Sequence, residues 1–423
     1  MTRSIPLLVT LFLGLVAAQT PGKGRELHPR LTTWECTHRH GCRKKQTSVV
    51  LDSLSHPVYQ KNAPDFDCGG WGQTPNATAC PDDKTCVQNC IMDPVSDYSD
   101  YGVTTCGGDL HMEMINDDGK VVSPRVYLLS ENKNKYEMMH LTGKEFTFDV
   151  DMSNLPCGMN GALYLSEMEK DGGKKKEKLN KGGAYYGTGY CDAQCYTTPF
   201  VNGAPNLAGV GACCNELDIW EANSRSTHLA PHVCNKPGLY GCTGEECGRE
   251  AEGVCDKNGC GFNPYRVENK DYYGLGLQVD TSRPFTVVTQ FPADRRGNLQ
   301  SIVRLYIQDG KVIQNAEILS DLGLPEGQNF LDDDFCAAVN SEQYMALGAT
   351  KGMGKSLDRG MVLAFAIWWD EDGFMHWLDS EEAGPCNATE GNPEVVLEVN
   401  PRPKLTFGQI KWGEIGSTFK ARK

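Results

Sequence analysis

The spacing of apolar positions along this chain is dominated by period two. Glu145-Phe-Thr-Phe-Asp-Val-Asp151 alternates polar and apolar residues, as a strand with one buried face does. Residues 285–291 and 302–312 repeat the theme, and the second is broken at Asp309-Gly310, a dipeptide that favours a tight hairpin. Residues 361–369 are apolar almost throughout, which predicts a central strand buried on both faces. Residues 48–51 read as a further strand, and Asn116-Asp-Asp-Gly119 as a turn before the β-prone stretch 121–129. Long amphipathic helices are absent; short ones are expected near 332–339 and 341–347. The pattern predicts an all-β fold of two large antiparallel sheets packed face to face.

One strand-like stretch carries chemistry. Gly211-Ala-Cys-Cys-Asn-Glu-Leu-Asp-Ile-Trp-Glu-Ala-Asn223 sets Glu216, Asp218 and Glu221 within six residues. Side chains alternate faces along a strand, so Glu216 and Asp218 share a face and Glu221 has the wrong parity. One inserted residue, a β-bulge near Ile219 and Trp220, would bring the third acid beside the other two and leave Leu217 on the far side. Two carboxyl groups flanking a bond, tuned by a third, suit acetal hydrolysis, and acids this close fit the narrow spacing of retaining enzymes. From spacing alone an ordinary solvated acidic edge is the commonest reading, with catalysis and calcium ligands sharing the rest. Calcium sites prefer looped backbone rich in Gly, Asp and Asn, and Leu217, Ile219 and Trp220 between the acids argue against one.

Composition narrows the setting. Arg3, an apolar run over residues 5–16 and Ala17-Ala18 read as a secretory signal peptide over residues 1–18, followed by one catalytic domain over 19–423. Nineteen cysteines then imply a disulfide framework with one thiol left over. Cys36-Thr-His-Arg-His-Gly-Cys42 could suggest zinc, but a small disulfide loop suits a secreted chain better. A net charge of −14 disfavours nucleic acid and anionic membranes and suits a neutral polymer. The lysine-rich stretch 170–178 reads as a solvated loop, and Asn76-Ala-Thr78 and Asn387-Ala-Thr389 as glycan acceptors.

The segment Cys213-Cys-Asn-Glu-Leu-Asp-Ile-Trp-Glu-Ala-Asn223 resembles the signature of glycoside hydrolase family 7, the fungal cellulases. Other stretches match that family in order: Tyr101-Gly-Val-Thr-Thr, Pro156-Cys-Gly-Met-Asn-Gly-Ala-Leu-Tyr164, Tyr186-Gly-Thr-Gly-Tyr-Cys-Asp-Ala-Gln-Cys195, Gly360-Met-Val-Leu-Ala, Trp377-Leu-Asp-Ser380 and Gly413-Glu-Ile-Gly-Ser-Thr418. The resemblance implies a concanavalin-like jelly-roll β-sandwich whose concave sheet forms an open cleft. It also implies the pairing Cys36–Cys42, Cys68–Cys90, Cys80–Cys86, Cys157–Cys386, Cys191–Cys214, Cys195–Cys213, Cys234–Cys255, Cys242–Cys247 and Cys260–Cys336, with Cys106 unpaired.

By the same resemblance Glu216 is the nucleophile, Glu221 the acid/base, Asp218 the auxiliary carboxylate and His232 a support beside the acid/base. His228 matches nothing and reads as a surface residue. Asn160, Tyr164, Asp192 and Gln194 match positions lining the central subsites, Trp368 and Trp377 match sugar platforms, and Arg266 is expected on the groove wall. Trp369, of opposite parity to Trp368, should pack between the sheets. Processive relatives carry tryptophans at the cleft entrance where this chain has Leu51-Asp-Ser-Leu-Ser-His-Pro57, and they roof the groove with insertions. Here residues 202–211 and 247–255 are brief, and Gly384-Pro-Cys386 lacks the product-side arginine of those relatives. The expected activity is therefore endo-β-1,4-glucanase, with an exo-acting cellobiohydrolase or a non-catalytic β-glucan-binding lectin as alternatives. No cofactor or metal is expected, and the expected partner of the monomer is a β-1,4-glucan such as cellulose, mixed-linkage glucan or xylan.

Overall fold

The computed structural model describes residues 19–249 and 252–420, so the signal peptide expected at 1–18 lies outside the described residues. The main strands in chain order are β1 (Arg30–Thr37), β2 (Gly41–Leu51), β3 (Arg125–Leu129), β4 (Lys144–Asp151), β5 (Met159–Ser166) and β6 (Glu216–Ala222). They continue with β7 (Thr227–His232), β8 (Phe285–Gln290), β9 (Ile302–Gln308), β10 (Lys311–Gln314), β11 (Met361–Trp369) and β12 (Lys404–Glu414). Hydrogen bonds link them in the order β7-β6-β5-β11-β3-β2-β1-β12-β4-β8-β9-β10. Every neighbour pair is antiparallel except β1–β12, where the path turns from one layer of the sandwich into the other. The two halves of that path face one another across the core. Phe148 of β4 meets Trp220 of β6 at 5.9 Å, and Phe407 of β12 meets Phe365 of β11 at 5.5 Å.

Alternation on the central strands makes the cleft. Leu163 and Leu165 of β5, with Leu363, Phe365 and Ile367 of β11, point into the core between the layers. The intervening positions face the other way, and three of the four central ones are alanine: Ala162 lies opposite Ala366, and Tyr164 opposite Ala364. A floor of alanines on two adjacent strands leaves room above it that larger residues would fill. Trp369 packs against the inter-sheet core as its parity requires, while Trp368 belongs to the cleft side.

Expected elements are found with two corrections. Asp309 and Gly310, both at positive φ, close the β9–β10 hairpin, and short helices form at Asp333–Ala338 and Glu342–Leu347. An eleven-residue helix at Ala349–Arg359 follows them and was not anticipated. Its glycines weaken local propensity, but Met353 and Leu357 are fully buried, and a Cβ at Gly354 would lie 2.7 Å from that of Leu299. Close packing selects the helix there. The polar face of β4 is likewise not solvated: Glu145 is buried, accepting from the Gly416 and Thr418 amides at 2.7 and 2.9 Å.

Nine disulfides join the pairs that the family resemblance implied, and Cys106 is an exposed free thiol. Cys36 and Cys42 bond each other across the β1–β2 turn. Cys157–Cys386 closes 229 residues of chain, whereas Cys36–Cys42 closes 6. Because loop-closure entropy grows with the logarithm of loop length, removing the first should cost about 3 kcal/mol more unfolding free energy than removing the second. Urea unfolding of the two double-alanine variants measures the difference; equal losses would mean that chain entropy is not the governing term.

Candidate active site

The acids are brought together by an irregular strand. In β6, Asp218 pairs with Ala230 of β7 and Glu221 with His228, so Ile219 and Trp220 together oppose the single residue Leu229. This is a bulge at the expected place, and it sends both Ile219 and Trp220 into the core beside Leu217. Beneath it lies a residue that the sequence did not single out. Arg304 of β9, only 2% exposed, donates from Nη2 to the Ile219 carbonyl and from Nε to Thr289 Oγ1 at 3.1 Å. Its guanidinium lies 5.6 Å from the Trp220 ring, and among the described residues no carboxylate is in ion-pair range of it.

On the other side of the strand a cleft of about 850 Å³ is lined by Glu216, Asp218 and Glu221. Tyr164, Asp192, Gln194, Trp368, Trp377 and His232 line the same cleft. Each acid has its own partner. The Ala193 amide donates to Glu216 Oε2 at 2.9 Å. His232 Nε2 lies 3.0 Å from Asp218 Oδ2, and its Nδ1 faces the Asp256 carbonyl at 3.0 Å. A carbonyl only accepts, so Nδ1 carries a proton and the ring is oriented by it. A Cβ at Gly259 would lie 2.6 Å from the His232 ring, so only glycine lets that loop close over the histidine.

Asn160 Nδ2 donates to Glu221 Oε1 at 2.9 Å, and His228 Nδ1 stands 3.5 Å from Glu221 Oε2. Two expectations are corrected here. The histidine beside Glu221 is His228, which is half-buried at the cleft and not a surface residue. His232 serves Asp218 instead. The signal was available: the 223–226 turn makes β6 and β7 a hairpin, and cross-strand register pairs Glu221 with His228.

Charge in this pocket is governed by burial. Burial drives Glu216 well above the usual carboxylate range, with repulsion from Asp218 and Asp192 adding to it. Burial, then the Glu221 carboxylate, pushes Asp218 up to about 7, even though the hydrogen bond and charge of His232 oppose the rise. Burial acts to lower His232, but the hydrogen bond and charge of Asp218 carry it up to about 10. Asp192 is also raised by burial, against a hydrogen bond from Tyr190 and the charge of Arg125. The cluster thus holds a proton into the neutral range beside a cationic His232.

The remaining expected residues hold the walls. Tyr164 donates to Tyr190 Oη at 3.2 Å, Asp192 Oδ1 accepts from the Cys195 amide at 2.9 Å, and Gln194 Nε2 reaches the Lys257 carbonyl at 2.8 Å. The Trp368 and Trp377 rings are stacked, 6.4 Å apart. Arg266 lies in a second cavity of about 900 Å³ that continues the cleft past Trp377, and it donates to the Trp377 carbonyl at 3.1 Å. Asp379, buried behind Trp377, accepts from the Gly158 amide at 2.8 Å and from Asn223 Nδ2 at 2.6 Å. Three of the sequence motifs therefore meet at one carboxylate. Arg125, Trp71 and Tyr190 also line the cleft and were not singled out beforehand.

Comparison with known proteins agrees with this geometry. The profile described as glycosyl hydrolase family 7 matches residues 21–419. The chain is 57% identical to endoglucanase EG-1 of Humicola insolens over 416 residues, 98% of this chain and 94% of that one. It superposes on the native endocellulase structure from Humicola insolens with a TM-score of 0.92 at 57% identity, covering 95% of this chain and all of that one. A cellobiohydrolase of the same family from Daphnia pulex is more distant, at 34% identity and a TM-score of 0.87 over 95% of this chain and all of that one. With the family profile spanning nearly the whole chain and relatives this similar, the chain belongs to glycosyl hydrolase family 7.

Proposed function

We propose that this protein is a secreted endo-β-1,4-glucanase that cuts internal bonds of cellulose and related β-glucans with retention of anomeric configuration. The observation that carries the reading is the bulged strand: it turns Glu216, Asp218 and Glu221 onto one cleft floor, each with a separate hydrogen-bonding partner. Glu216 attacks the anomeric carbon as Glu221 gives its proton to the departing glycosidic oxygen, leaving a glycosyl ester on Glu216. Water then loses a proton to Glu221 and adds to the anomeric carbon, which frees Glu216. Asn160 donates to Glu221 Oε1 and so leaves Oε2, on the His228 side, to carry the proton. Protonated Asp218 donates to Glu216 and steadies it as charge develops; His232 offsets the negative charge of the pocket. Tyr164, Asp192 and Gln194, which line the cleft, hold sugar hydroxyls, Asn160 acts from beneath through Glu221, and Trp368 and Trp377 stack on pyranose faces.

Attack within a chain, not at its end, requires an unroofed cleft. Residues 202–211 fold into a tight turn in which Asn206 Nδ2 donates to the Thr198 and Val210 carbonyls at 2.9 and 2.8 Å. At the rim Trp71 is 41% and Tyr196 48% exposed, which a closed tunnel would not leave. Residues 19–423 act as one catalytic unit after removal of residues 1–18, and Asn76 and Asn387 carry glycans.

An NMR time course on a cello-oligosaccharide tests the reaction directly: the first product should be the β-anomer, and an α-anomer would remove Glu216 from the nucleophile's role. Viscosity of carboxymethyl-cellulose should fall early, ahead of reducing-sugar release; a lag would favour exo attack. Glu216→Gln should lower turnover by about 10³-fold or more while oligosaccharide binding persists, whereas a wild type that binds without turnover would identify a lectin. Folding raises the Asp218 carboxyl to about 7. The folded state therefore binds that proton more tightly, and this stabilisation is complete below the ordinary carboxylate range and lost as pH rises through about 7. Activity should fall over the same rise, and Asp218→Asn should flatten the alkaline limb of both profiles.

A further inference from the structure

Trp71 is a large aromatic residue on the cleft rim with no task in the mechanism above. It is 41% exposed, and among the described residues its indole N–H has no hydrogen-bond acceptor. The loop that carries it is fixed. Cys68 is bonded to Cys90, the Asn76 amide donates to the Cys68 carbonyl at 3.0 Å, and the Gly72 amide donates to the Thr197 carbonyl at 3.0 Å. The ring is fixed as well. The Arg125 guanidinium lies between two aromatic rings, 3.6 Å from the Tyr190 centroid and 4.7 Å from that of Trp71, and its far end is tied to Asp52 at 3.3 Å. Tyr196, 48% exposed, sits 5.5 Å from Trp71. Since the guanidinium covers one face of the indole, the exposed area belongs to its opposite face and edge.

We propose that Trp71, flanked by Tyr196, is a sugar-stacking site for a glucosyl ring on the non-reducing side of the bond that is cut. A β-1,4-linked glucosyl ring has equatorial hydroxyls and an apolar C–H face, which matches a flat aromatic surface with a hydrogen-bond donor at its edge. The side follows from the acid assignment, so this inference rests on the hydrolase reading. The leaving group departs past Glu221, toward His228 and Trp377. The opposite arm runs from Glu216 past Asp192 and Tyr190 to Arg125 and Trp71. Leu54 and Ser55 line the same cleft as Trp71, which enters it from the disulfide-held loop that follows Cys68.

The test is chain-length dependence in Trp71→Ala and Trp71→Phe. Trp71→Ala should raise KM for cellohexaose about tenfold with kcat held, and move KM for cellotriose less than about twofold. Trp71→Phe should restore most of the loss. An unchanged KM for cellohexaose would overturn the proposal. So would an equal loss of kcat at every length in both variants with a lowered Tm, which would make Trp71 a structural support of its loop. If the wild type left cellohexaose uncut, the hydrolase reading would fail instead, and tryptophan-fluorescence titration of wild type and Trp71→Ala with cellohexaose would still decide the stacking.

Discussion

The site depends on a bulge of one residue. Without it, β6 would hold Glu216 and Asp218 on the cleft floor and turn Glu221 into the core. With it, two core residues come in succession and the third acid rises beside the others. A bulge leaves a backbone group out of the ladder, and a buried carbonyl without a donor costs about 1–3 kcal/mol. Arg304 meets that need from the opposite layer by donating to the Ile219 carbonyl. The two sheets thus do more than bury apolar surface: one supplies the side chain that keeps the other irregular.

Arg304 is itself a charge that the core must accommodate. A buried cation with no carboxylate partner is costly, by several kcal/mol on general grounds. Its position explains how that cost is offset. It lies on the core side of the same strand whose cleft side carries the three acids, and it rests against the faces of Trp220 and Tyr306. On the cleft side the cations are His232, in direct contact with Asp218, and Arg125, whose charge acts on Asp192. They face an acidic cluster that burial alone would neutralise. Partial neutralisation is what double displacement needs, since one acid must attack as an anion while a neighbour holds a proton.

Most of this was legible in the chain, for identifiable reasons. Period-two alternation gives the strands, and a parity mismatch between Asp218 and Glu221 gives the bulge, because both follow from local geometry. What escaped depends on contacts between distant segments. Arg304 lies in an ordinary-looking strand and acquires meaning only through Ile219, 85 residues away. Trp71 sits in a glycine-rich loop whose approach to the cleft is set by a disulfide and by residue 197. The helix at Ala349–Arg359 is held by packing on Leu299 against its own weak propensity. His228 is the exception: a cross-strand pairing of Glu221 over a short turn would have found it.

The division of labour along single strands explains how such a site stays rigid while open to solvent. On β5 and β11 each residue facing the cleft is separated from the next by one locked in the core, so the alanine floor cannot shift without moving Leu163, Leu363 or Phe365. The walls lack that support because they are loops, and disulfides and buried polar ties supply it instead. Cys191–Cys214 and Cys195–Cys213 pin the segment that presents Ala193 to Glu216, and Asp379 ties the short helix bearing Trp377 to Gly158, at the head of the strand that carries Asn160. A core thick enough to fix the floor and covalent or charged ties to fix the walls together allow a groove without a roof. Closure over the substrate is then not needed to assemble the reacting groups, because they are already held in place beneath a passing chain.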